Sequence, residues 1–105
     1  MKVTVKYIHS EDNKNIEEKL RGKLYRLGAM YDWIKDGSVF FKMDKNDRKK
    51  DKVVELLIST YGSEIYTEGK AETFELAAKK AMSGIKHQIN KNKDKYFRHA
   101  LSTPL

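Results

Sequence analysis

The chain opens on alternating positions. Val3, Val5 and Tyr7 point one way and Thr4 and Lys6 the other, the period of a half-buried strand over residues 2–8. The period then changes. Ile16, Leu20, Leu24, Leu27 and Tyr31 recur at steps of four, four, three and four, which makes one apolar stripe on a helix over roughly residues 12–31. Ser10 or Asp12 is placed to cap it, and acids there suit the positive end of the helix. Tyr31 to Ile34 should close over the core, with Asp36-Gly37 as a turn. Alternation returns in Val39, Phe41 and Met43, a strand over residues 38–43. The run DKNDRKKDK (residues 44–52) reads as an exposed charged hairpin loop. A third strand follows over residues 53–61, with Val54, Leu56 and Ile58 on one face. Gly62-Ser63 marks a tight turn into a more polar fourth strand over residues 64–70. The last helix starts near Glu72 or Thr73. Phe74, Ala77, Ala78, Ala81, Met82, Ile85 and Ile89 form its core stripe, and Gly84 within it suggests close packing on the sheet.

The resulting order is β-α-β-β-β-α, an α+β fold. Strands two to four form an antiparallel meander. Each helix is apolar along one stripe, so both pack on the same face of a four-stranded sheet. Residues 1–99 make one domain at 105 residues of total length. The tail of residues 100–105 reads as short and flexible.

Composition narrows the classes. One Trp, six Tyr and four Phe exclude wholesale disorder. No apolar run approaches 18 residues, so neither a membrane span nor a membrane partner is expected. The alternating N-terminus is not a signal peptide. Cysteine is absent, which excludes disulfides, thiolate metal sites and thiol nucleophiles and fits a reducing cytoplasm.

Net charge is +7, and its location matters more than its size. Residues 1–78 are nearly balanced, with 15 Lys/Arg against 14 Asp/Glu. Residues 79–99 carry seven Lys/Arg against Asp94 alone. At about 100° per residue, Lys79, Lys86 and Lys93 fall on one edge of the last helix's apolar stripe. Lys80, His87, Lys91 and Arg98 fall on the other, with Ser83 and Asn90 between them. Solubility alone would favour mixed signs and i,i+4 pairs. A nearly acid-free cationic face points to a polyanion, whose condensed counterions it releases on binding. Long lysine stems suit phosphates rather than base edges. The tyrosines read as core or rim residues rather than stacking platforms.

Signals for catalysis are poor. The six glycines are scattered, and His9, His87 and His99 lack metal-ligand spacing. Asp44, Asn46, Asp47 and Asp51 have some look of a calcium loop, but its glycine and terminal glutamate are missing. Glu17-Glu18 reads as a solvated pair. The chain is read as a non-enzyme with no cofactor, no metal and no small-molecule substrate.

The run Lys86-His87-Gln88-Ile89-Asn90-Lys91-Asn92-Lys93-Asp94-Lys95-Tyr96-Phe97-Arg98-His99 resembles the end of the bacterial ribosome hibernation promoting factors, also called the ribosome-associated inhibitor or protein Y family. Lys23-Leu24-Tyr25-Arg26-Leu27 is similar to that family's Lys-x-x-Lys/Arg-Leu segment, and Glu64-Ile65 after a turn also matches. The likeness covers residues 1–99 and is that of the short type. It implies a double-stranded-RNA-binding-like fold. It also implies binding to the 30S subunit of the 70S ribosome, in the mRNA channel at the A- and P-site tRNA positions. Translation is thereby inhibited, and idle ribosomes are preserved under stress or in stationary phase. By the same likeness Lys23, Arg26, Lys86, Lys91, Lys93 and Lys95 contact 16S rRNA. Lys79, Lys80, His87 and Arg98 join them from the charge map. One departure is local: the family's last helix commonly opens Asp-x-Tyr-x-Ala-Ile-Asp, and here Thr73 to Lys79 lacks both acids and carries its aromatic one place earlier, at Phe74. Two other readings use the same charges: a general double-stranded-RNA-binding or RNA-chaperone module, and a protein-interaction module docking an acidic partner.

Overall fold

The computed structural model describes residues 1–10 and 12–102, without the side chains of 96–102. Its elements are β1 (Lys2–Ile8), α1 (Lys14–Met30), β2 (Ile34–Met43), β3 (Lys52–Thr60), β4 (Glu64–Ala71) and α2 (Phe74–Ser102). The sheet order is β1-β2-β3-β4. β1 lies parallel to β2 through the α1 crossover, and the other two pairs are antiparallel. The expected β-α-β-β-β-α order and meander are what the chain forms, and both helices cover one sheet face.

The buried layer is the one the periodicity marks. Leu20, Leu24 and Leu27 from α1 meet Val39, Phe41, Val54, Leu56 and Ile58 from the sheet and Ala77, Ala81, Ile85 and Ile89 from α2. An aromatic column pins the start of α2. Tyr7 stacks on Phe41 (centroids 4.8 Å apart), and Phe74 meets Phe41 edge-on at 5.6 Å. The displaced aromatic of α2 is therefore a core anchor. The backbone of β4 lies hard against α2, since a Cβ on Gly69 would sit 2.0 Å from the Ala77 carbonyl oxygen. At Gly84 it would meet Thr67 at 3.0 Å, the close packing expected there. The Thr67 hydroxyl donates to the Ala81 carbonyl at 2.8 Å and completes this seam.

Four local expectations need correction. Neither Ser10 nor Asp12 caps α1: Asn13 does, its side chain accepting from Ile16 N at 3.3 Å. His9, before it, adopts φ 52°. Asp36-Gly37 is not a turn but part of β2, where pairing to both β1 and β3 outweighs turn propensity. The irregularity sits at Lys35, between the paired residues Ile34 and Asp36. Glu17 is not simply solvated. It accepts from Tyr7 Oη at 2.8 Å and from Arg21 Nε at 3.1 Å, and Arg21 also donates to the Val3 carbonyl at 2.8 Å. Those bonds tie α1 to β1. Finally, α2 continues to Ser102, beyond the end expected near His99, and residues 103–105 lie outside the described ones. The turn at residues 61–63 is as expected, with Gly62 at φ 105°, where a side chain would be strained.

Candidate nucleic-acid interface

The two helices run side by side in the same direction, and a groove separates them. At its upper end Ile16, Leu20 and Ala78 make an apolar floor, and Lys19, Lys23 and Lys79 line the rim with Glu75, around a cleft of about 290 Å³. Farther along, the buried Leu27 and Ile89 floor a second cleft of about 280 Å³, bordered by Met30, Tyr31, Lys86 and Asn90. The parallel course of the helices thus brings the α1 cations and the Lys79–Lys86 row to one groove. Helical geometry puts Arg26 on the same edge of α1 as Lys19 and Lys23, and Arg26 is exposed.

The second row faces away from α1. Lys80 donates to the Lys70 carbonyl at 3.0 Å and Gln88 to the Tyr66 carbonyl at 2.9 Å, so both cover the free edge of β4. Lys80 is therefore partly committed to the sheet. His87 and Lys91 are exposed on the same side of the helix. Ile89 is the last core residue of α2 among the described side chains, and beyond it the helix projects with Lys91, Lys93 and Lys95 exposed. Lys95 belongs to neither row and lies on the β4 side. The Arg98 side chain lies outside the described residues.

Electrostatics separate this face from the rest of the surface. Glu75–Lys79, at 3.9 Å with both side chains mostly exposed, is the one salt bridge in α2 among the described residues, and such a pair contributes little. Lys19, Lys23, Lys86, Lys91, Lys93 and Lys95 have no salt bridge to a described residue. Across the sheet the opposite holds: Glu55 takes Lys42 and the Tyr66 hydroxyl. Those two donors hold its carboxyl below the usual range against the opposing effect of burial, while burial and the neighbouring acids push Tyr66 up. Tyr7 and Tyr31 pack on the core, whereas Tyr25, Tyr61 and Tyr66 are rim residues about half exposed.

The sequence reading passed over Lys19, which stands one turn before Lys23 on the same groove edge. The stripe of Ile16, Leu20 and Leu27 carried that signal, because Lys19, Lys23 and Arg26 all border it. The aspartates of residues 44–51 are engaged internally, Asp44 by Lys70 at 2.5 Å and Asp47 by the Lys49 and Lys50 amides. Among the described residues no three His, Asp or Glu side chains are grouped to hold a metal, and no helix is long and apolar enough to cross a membrane.

Solved structures share this architecture. A ribosomal subunit interface protein from Coxiella burnetii superposes with a TM-score of 0.74 at 19% identity, over 90% of this chain and 99% of that one. The N-terminal domain of protein Y from Thermus thermophilus gives 0.64 at 18% identity, over 86% and 93%. No curated protein sequence matches. The family model described as sigma 54 modulation protein / S30EA ribosomal protein matches residues 3–96. On that match, which spans nearly the whole chain, the protein belongs to the sigma 54 modulation / S30EA ribosomal protein family.

Proposed function

We propose that the protein binds the small ribosomal subunit through 16S rRNA, occupies the mRNA channel at the A- and P-site tRNA positions, and so inhibits translation and preserves idle ribosomes under stress or in stationary phase. The observation that carries this is the pair of helices whose lysines surround one groove and one projecting helix end with almost no acid among them. Membership of a ribosome-associated, non-enzymatic family supports the ribosome over other polyanions. Lys23, Arg26, Lys79, Lys86 and Lys93 form the groove-side contacts. Lys80, His87, Lys91, Lys95 and Arg98 form the outer ones. The protein works in the cytoplasm, where ribosomes are, and needs no cofactor.

The mechanism is occlusion held by charge. Each phosphate neutralised releases condensed counterions, so log K falls with log salt by about 0.7 to 0.9 per contact. A helix seated on the sheet through Gly69 and Gly84 presents its lysines without first ordering a backbone, which lowers the entropic cost of docking. The test is the Lys86→Ala/Lys91→Ala/Lys93→Ala variant. All three residues are exposed and off the core stripe, so the variant should fold normally. Its ribosome affinity should fall and its salt slope flatten by about 2 to 3. Unchanged binding would remove α2 from the interface. Duplex RNA should compete poorly with ribosomes, whereas equal competition would favour a general double-stranded-RNA module.

A further inference from the structure

We propose that the β2–β3 loop, residues 44–51, is a second phosphate-binding site, so that one molecule holds two separate RNA segments. The inference rests on the RNA reading of the previous subsection but uses none of its residues. The loop contains three aspartates, and every one is bonded within the loop or to a residue of the adjoining strands. Asp44 takes Lys70 Nζ at 2.5 Å and the Asn46 amide at 3.0 Å. Asp47 accepts the Lys49 and Lys50 amides at 3.0 and 2.9 Å. Asp51 pairs with Lys52 at 2.7 Å, and its carbonyl accepts the Asp44 amide. These bonds fold the loop and hold its acids partly buried, and those on Asp44 and Asp47 keep the carboxyls ionised below their ordinary range.

The cations have the opposite fate. Lys45, Arg48, Lys49 and Lys50 are all exposed, and none has a salt bridge to a described residue. A loop that merely needed solubility would leave its own acids free to screen them. Here the acids are spent on the loop's shape, and four cations project from it, which suits a phosphodiester backbone.

Its position makes it a separate site. The base of the loop, Lys52, pairs with Ala71 at the end of β4, and α2 begins three residues later. At a rise of 1.5 Å per residue, Lys91 to Lys95 lie about 26 to 32 Å down the axis of α2 from that point. The molecule is 46 Å along its longest axis. Lys79 and Lys80, one to two turns into α2, lie nearer the loop, since Lys80 donates to the carbonyl of Lys70 and Lys70 pairs with Asp44. It is the far end of α2, Lys91 to Lys95, that the loop stands apart from.

The chain has no cysteine, so a single introduced thiol can carry an iron–EDTA cleaving group. Asn46→Cys tests the loop and Asp94→Cys the far end of α2, and neither removes a cation. On 70S ribosomes both should cleave rRNA, at non-overlapping nucleotides. Cleavage from position 94 alone overturns the second site and leaves the proposed function standing. Cleavage from neither overturns the function itself. The Lys45→Gln/Arg48→Gln/Lys49→Gln/Lys50→Gln variant gives an independent reading. Its salt slope should fall by about 3, from four lost contacts at 0.7 to 0.9 each. An unchanged slope overturns the proposal, as does binding by this loop to an acidic protein that survives nuclease treatment.

Discussion

Gly69→Ala tests how closely β4 meets α2, and so how firmly the cationic helix is held. The added Cβ would fall 2.0 Å from the Ala77 carbonyl oxygen and 2.8 Å from the Ala81 amide nitrogen. Both are helix backbone, with no side chain able to swing aside. Reaching a tolerable contact near 3 Å requires α2 and β4 to part by about 1 Å. That gap runs beneath Ile65, Ala77, Ala81 and Ile85, all essentially unexposed. If roughly 40 atom contacts of about 0.15 kcal/mol each lose a third of their depth, the loss is about 2 kcal/mol. Strain in the displaced elements brings the cost to about 3 kcal/mol, the upper part of the range for overpacking. Urea unfolding followed by circular dichroism reads this directly. With m near 1.5 kcal/mol/M, the midpoint should drop by about 2 M. Gly22→Ala is the matched control. Nothing lies within 4 Å of its Cβ position in α1, so the substitution should stabilise by about 0.5 to 1 kcal/mol through helix propensity alone. A Gly69→Ala protein within about 0.5 kcal/mol of the parent would refute the close approach and the rigid seating built on it.

Further predictions concern the seams around the same core. Thr67→Val removes the hydroxyl bond to the Ala81 carbonyl while keeping the shape, and should cost about 1 kcal/mol by thermal or urea unfolding. Asn13→Ala should cost a similar amount, about 1 kcal/mol, where Ser10→Ala should not act through the α1 cap. Glu17 is held below its ordinary carboxyl pKa of 4.5, first by the Tyr7 hydroxyl and then by Arg21. Its stabilising contribution is therefore full above the unfolded value and is lost as pH falls through the folded one. Between neutral pH and acid, the stability of Glu17→Gln should decline less steeply than that of the parent. Parallel declines would show that the Tyr7–Glu17–Arg21 bonds carry no net weight.

What the sequence made legible follows from local periodicity. The stripe of Leu20, Leu24 and Leu27, the alternation of Val54, Leu56 and Ile58 and the Ala-rich stripe of α2 each name their buried face without help from the rest of the chain. The misses are non-local. Asp36-Gly37 has turn chemistry, and only its two neighbouring strands make it extended. Glu17 finds Tyr7 across the β1–α1 connection, a contact that no helical spacing announces. Asn13 is the cap although Ser10 and Asp12 carry equally good capping side chains, because the cap is set by where the helix begins, which the side-chain types do not fix. The candidate interface divides in the same way. The two cation rows of α2 were readable from 100° steps, but which row faces α1 was not, because that depends on the helices lying parallel. Lys19 lines the groove only by virtue of that arrangement. In the loop of residues 44–51 the charges look mixed in sequence, and hydrogen bonding sorts them into engaged acids and exposed cations.

Sedimentation of the purified protein with 70S ribosomes at low and at high salt tests the central claim most directly. The account predicts co-migration at low salt that is lost at high salt, and that is already weakened at low salt in the Lys86→Ala/Lys91→Ala/Lys93→Ala variant. Absence of co-migration at either salt would contradict ribosome binding, and co-migration insensitive to both salt and these substitutions would contradict docking by charge.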